Sequence, residues 1–61
     1  MNINTATEAE LETVTGIGPA TAKKIVAHRD KKGPFASVDQ LEEVPGIGPA
    51  KLEGMRAEVT V

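Results

Sequence analysis

Apolar residues recur along this chain in a short pattern that is used twice. Leu11 and Val14 stand three apart and Ile17 follows three later; 30 residues on, Leu41, Val44 and Ile47 repeat the spacing. Residues three apart share one face of a helix, so Leu11/Val14 and Leu41/Val44 each predict a short helix with an inward face. A second stripe follows each: Ala22, Ile25, Val26 and Arg29 in one case, Leu52, Met55 and Val59 in the other. The polar positions punctuate these stripes. Thr7 with Glu10, and Ser37 with Gln40, have the spacing of a capping box and predict where the short helices begin. Gly16 and Gly46 suit the positive φ that ends a helix, and Pro19 and Pro49 suit the first position of the next one. Gly33-Pro34 ends the first long helix.

Sliding the chain by 30 residues makes the duplication explicit: residues 11–20 and 41–50 agree at eight of ten positions, including an identical Gly-Ile-Gly-Pro-Ala. The expected fold is therefore all-α, with two helix-turn-helix units in a pseudo-two-fold arrangement: four short helices and a connector. We expect a single domain over residues 1–61, with repeat one about 6–32, a connector 33–36 and repeat two about 37–61. The expected core is Leu11, Val14, Ile17, Ile25, Val26, Phe35, Val38, Leu41, Val44, Ile47, Leu52, Met55 and Val59. Phe35 is the large plug between halves, and neither half is expected to fold without the other. Gly54, inside the second long helix, costs about 1 kcal/mol relative to Ala, so the second copy is the weaker.

Composition narrows the function. The chain has 61 residues and no Cys, Trp or Tyr, which leaves little room for both a core and a substrate-sized pocket. It is expected not to be an enzyme and to need no cofactor, metal or small-molecule substrate. His28 has no cysteine to complete a metal set and reads as a partly exposed helix residue; Asp30 and the glutamates read as capping and solubilising charges. No segment has the length and hydropathy of a membrane span or the layout of a signal peptide, so no membrane contact by this segment is expected. The net charge is −2, yet residues 23–32 carry Lys23, Lys24, Arg29, Lys31 and Lys32 against Asp30 alone. A positive stripe thus lies on an otherwise acidic chain. Read by charge alone, it is first of all a solvated helix face with salt-bridge partners.

The chemistry concentrates in the two glycine turns. A helix start exposes unpaired N–H groups and a partial positive charge, and glycine lets a phosphate oxygen approach the backbone. Gly16, Ile17, Gly18 and Ala20, with Lys23 and Lys24, are candidate phosphate contacts in the first copy; Gly46, Ile47, Gly48, Ala50 and Lys51 are the candidates in the second. Taken singly, a Gly-x-Gly before a helix is only a turn; its repetition is the specific signal. Without a preceding strand, it is no dinucleotide fingerprint.

Val14-Thr15-Gly16-Ile17-Gly18-Pro19-Ala20-Thr21-Ala22-Lys23-Lys24-Ile25 resembles the hairpin and second helix of a helix-hairpin-helix motif. Together with Ile3-Asn4-Thr5-Ala6-Thr7, Gly33-Pro34-Phe35 and Val59-Thr60-Val61, the whole chain resembles the C-terminal domain of the ComEA family of competence DNA receptors. The resemblance implies binding of double-stranded DNA without marked sequence preference, outside the cytoplasm, and delivery to the uptake channel machinery of natural transformation. It implies contacts by Gly16, Ile17, Gly18 and Lys23, and by Gly46, Ile47, Gly48 and Lys51. The family's anchor or secretion signal is missing, which is expected of an excised domain, a processed form or a relative with another role. Glu53 and Gly54 stand where the first copy has Lys23 and Lys24, so the second site is expected to be electrostatically weaker. Paired motifs of this kind also serve as accessory modules in DNA repair or as protein-interaction scaffolds, the alternatives here. The near absence of aromatics disfavours single-strand stacking, and there is no long basic recognition helix for base readout.

Overall fold

The computed structural model describes all residues, Met1–Val61. A short helix α1 (Glu8–Leu11) leads through a turn into the long helix α2 (Pro19–Lys32). After the connector, a 3-10 segment (Val38–Glu43) stands where a second short helix was expected, and leads into α3 (Pro49–Met55). A last 3-10 turn, Arg56–Glu58, carries the chain toward its end. The architecture is all-α, and both long elements start on a proline at first position, as the pattern predicts.

The two capping boxes have different outcomes. Thr7 makes the full reciprocal pair: its hydroxyl accepts from Glu10 N–H at 3.2 Å, and Glu10 Oε1 accepts from Thr7 N–H at 2.9 Å. At Ser37 no such cap forms. There the Gln40 N–H donates to the Ser37 carbonyl at 3.2 Å, the tighter 3-10 pattern, and Gln40 Oε1 accepts from Ala36 N–H instead. The donor that a capping box would direct to the Ser37 hydroxyl is already taken.

The core is one cluster of fourteen buried apolar residues. Eleven of the thirteen expected residues are in it; Val26 and Val38 are only half-buried and pack against its edge. The expectation missed Ile3, Ala6 and Ala22. Ile3 is fully buried because the N-terminal segment belongs to the fold. Its N–H donates to the Thr60 carbonyl at 2.9 Å and the Thr60 N–H donates to the Met1 carbonyl at 2.7 Å, so the two chain ends close on each other. Asn4 then clamps the connector: its side chain accepts from Phe35 N–H at 2.7 Å and donates to the Phe35 carbonyl at 3.1 Å. Val59 is buried but lies in extended backbone after the 3-10 turn, beyond the helical stripe to which its spacing assigned it. The α-helix ends at Met55, seven residues against the fourteen of α2.

His28 departs from its expected, partly exposed placement. It is 9% exposed, its ring stacked on Phe35 at a centroid distance of 4.6 Å and an interplanar angle of 10°. The aromatic plug between the halves is therefore a pair of flat rings.

Candidate nucleic-acid interface

Each glycine turn is a hairpin built by the same bonds. In the first, Val14 N–H donates to the Leu11 carbonyl at 3.0 Å and Ile17 N–H to the Val14 carbonyl at 3.1 Å. In the second, Val44 donates to Leu41 and Ile47 to Val44 at the same two distances. Gly16 and Gly46 have φ of +89° and +97°, the left-handed region in which a side chain is strained. Ile17 and Ile47 are buried, 5% and 3% exposed, and pin each hairpin to the core. With their side chains inside and their N–H groups committed, these two residues position the turn and leave its surface to their neighbours.

Gly18 and Gly48 differ from the glycines before them. Both lie in ordinary extended backbone, φ −95° and −98°, and a Cβ added to either meets nothing within 4 Å. The fold does not require glycine at these two helix caps, and neither offers a side-chain cap. At the start of α2, the N–H groups of Gly18, Ala20 and Thr21 have no partner within the molecule; the first helical bonds to form are Ala22 to Gly18 at 2.9 Å and, in α3, Leu52 to Gly48 at 3.0 Å. Gly18, Ala20, Gly48 and Ala50 are all exposed. The result is a pair of bare, unobstructed N–H clusters at helix starts.

The hairpins are neighbours. A Cβ on Gly46 would lie 3.9 Å from Thr21 Oγ1, in the first turn of α2, and one on Gly16 would lie 3.9 Å from Met55 Cε in α3. Each hairpin thus packs on the second helix of the other copy. Thr21, half-exposed beside the second hairpin and with a free N–H, belongs with the candidate residues. Spacing alone did not single it out, because the equivalent position in the second copy is Lys51.

The cations divide by residue type. Arg29 donates to the Ile3 carbonyl at 2.8 Å and so ties α2 to the N-terminal segment. Arg56 is bound to Asp39 at 2.6 Å and to Glu53 at 3.5 Å. The hydrogen bond to Asp39, then the charge of Asp39, raises the Arg56 pKa and keeps the guanidinium charged. The lysines Lys23, Lys24, Lys31, Lys32 and Lys51 are exposed and form no ion pair. In the second copy, Glu53 occupies the place of Lys23, as its sequence position requires.

A duplicated helix-hairpin-helix unit on a common core is the class this geometry defines. The family model described as "Helix-hairpin-helix motif" matches residues 1–60, and the chain belongs to that family. The chain is also similar to ComE operon protein 1 of Bacillus subtilis (strain 168), 39% identical over all of this chain and 30% of the relative. An uncharacterized protein of Haemophilus influenzae is 48% identical over 97% of this chain and 54% of its own length. The Homo sapiens endonuclease/exonuclease/phosphatase family domain-containing protein 1 is 46% identical over the whole chain, which covers 11% of it. The chain therefore spans from about a tenth to about half of the length of these relatives. No helix is long and apolar enough to cross a membrane.

Proposed function

We propose that this chain binds double-stranded DNA through the phosphate backbone, without sequence preference, and that it does so in DNA uptake during natural transformation. The observation that carries the binding mode is the pair Gly18 and Gly48. Glycine there serves neither backbone conformation nor packing, while it leaves the adjacent N–H groups open to a close-approaching anion. On this reading Gly16, Gly18 and Ala20 frame one phosphate site and Gly46, Gly48 and Ala50 the other. Ile17 and Ile47 hold the frames rigid. Lys23 and Lys24 add charge-assisted contacts to the first site and Lys51 to the second. Groups that read only phosphates distinguish no bases.

The uptake role draws on the similarity to ComE operon protein 1. With it go an extracytoplasmic location and a hand-over to the uptake channel machinery. The similarity to a family of endonuclease/exonuclease/phosphatase domain proteins supports a second reading, a DNA-binding accessory module attached to an enzymatic domain. In either case this chain supplies binding and no catalysis.

The test is a titration against a fluorescent mixed-sequence duplex at several salt concentrations, with an unrelated duplex and a single strand as competitors. With roughly four to six phosphates neutralised, the slope of log K against log salt is expected near −4 to −5, and both duplexes compete equally. Absence of saturable binding at low salt defeats the reading.

A further inference from the structure

The structure holds one sizeable open groove, about 310 Å³, and it is not at the hairpin turns. Lys24, His28, Lys31 and Lys32 line it from α2, and Glu43 and Pro45 line it from the segment that enters the second hairpin. Three lysines and one glutamate contribute to its lining, in a chain whose net charge is −2. That carboxylate is engaged: Glu43 Oε1 lies 3.3 Å from His28 Nε2. None of the three lysines has an ion-pair partner. Lysines in the last turn also complement a helix dipole, which explains Lys31 and Lys32 in isolation. It does not explain Lys24, two turns earlier, on the same groove.

Lys24 and Lys31 are seven residues apart, about 10 Å along a helix axis at 1.5 Å per residue. One DNA strand carries a phosphate about every 3.4 Å of axis, so this span corresponds to about three phosphate steps of a duplex lying parallel to α2. Pro45 immediately precedes Gly46, so the groove runs directly into the second hairpin. We propose that this groove is a second phosphodiester track, in which Lys31 and Lys32 carry the backbone of the duplex on from Lys24, beyond the phosphates at the hairpins. The inference rests on the DNA-binding reading above and extends it. It assigns a role to the basic end of α2, which hairpin contacts leave unused, and it compensates the second hairpin for having Glu53 in place of a lysine. An acidic peptide is the competing occupant.

The experiment pairs Lys31→Gln/Lys32→Gln with Lys31→Arg/Lys32→Arg and, separately, Gly18→Val. Duplex affinity is measured across salt, and lysine acetylation is followed by mass spectrometry with duplex, with polyglutamate and with neither. For the Gln pair, loss of two contacts is expected to flatten the salt slope by about two. The affinity ratio between about 50 and 200 mM salt then shrinks by roughly tenfold. The Arg pair keeps the wild-type slope, and duplex protects Lys31 and Lys32 from acetylation. An unchanged slope for the Gln pair, or acetylation of these lysines undiminished by bound duplex, overturns the groove. If Gly18→Val still weakens binding in that case, the hairpin reading stands alone. If instead the Gln pair weakens binding and Gly18→Val does not, the groove stands and the hairpin reading fails. Protection by polyglutamate but not by duplex assigns the groove to a protein partner and also overturns the proposal.

Discussion

His28 on α2 and Glu43 before the second hairpin meet at 3.3 Å, joining the two copies across a sequence separation of 15 residues. The carboxylate is half-exposed and the imidazole is buried against Phe35, so the two sides of this contact are unequal in energy. A part-exposed pair of this kind contributes at most about 1 kcal/mol, whereas truncating a buried Phe costs about 3–5 kcal/mol. Glu43→Ala is therefore expected to lower stability by less than about 1 kcal/mol. Phe35→Ala is expected to remove most of the stability of a domain this small. Urea denaturation of the two variants side by side checks the ranking; comparable losses would put the Glu43 contact on a par with the ring stack.

The glycines of one hairpin separate fold from function. Gly16→Ala places a side chain at φ +89° and is expected to cost roughly 1–3 kcal/mol. Gly18→Ser meets open space in extended backbone and adds a capping hydroxyl, so it is expected to leave stability unchanged or raise it by up to about 1 kcal/mol. If Gly18 exists for phosphate approach, the same substitution weakens duplex binding while the melting temperature holds or rises. A stabilised variant with full affinity would show that the first hairpin does not need the gap.

The parts of this molecule that could be read from sequence are those governed by local rules. Gly16 and Pro19, with their copies Gly46 and Pro49, announce a turn and a helix start through backbone constraints that no tertiary contact needs to supply. Leu11, Val14 and Ile17 announce their burial by spacing. Ile3 was missed because a single apolar residue in an irregular segment has no period; its burial depends on Thr60 and Arg29, both remote in sequence. His28 was misjudged for the same reason, since only the fold brings Phe35 beneath it. The candidate site was legible as a pair of turns. The division of labour between its cations was not, because Arg29 is held by Ile3 and Arg56 most closely by Asp39, 26 and 17 residues away.

Asn4 makes a prediction about the chain's first residues, which look dispensable in sequence. Both polar groups of Phe35 depend on its amide. Asn4→Ala leaves them unpaired in a part-buried site and is expected to cost about 1–3 kcal/mol. In a domain of this size, a loss of 1 kcal/mol corresponds to about 4–8 °C in melting temperature. A thermal melt within about 2 °C of the parent would mean that water replaces the Asn4 bonds without loss. Asn4→Asp, which keeps the acceptor for the Phe35 N–H and removes the donor to its carbonyl, is expected to fall between the two.

The last prediction concerns what each cation contributes to binding. Lys23 and Lys24 are exposed and unpaired near the start of α2, whereas Arg56 is held by Asp39 and Glu53. A cation already neutralised by carboxylates has few counterions to exchange, while each free lysine on a phosphate flattens the salt slope by about 0.9 when it is removed. Lys23→Gln/Lys24→Gln is therefore expected to reduce the slope by nearly two, and Arg56→Gln to leave it within about 0.3 of the parent. Lys51→Gln is expected to act like one lysine, because it is an exposed cation without an ion pair in the first turn of α3. Equal effects from all these substitutions would mean that the duplex senses net charge alone, and the assignment of contacts to the first hairpin would fall. An effect confined to Lys23, Lys24 and Lys51 would tie the electrostatics to the two helix starts, where the unpaired N–H groups already point to an anion.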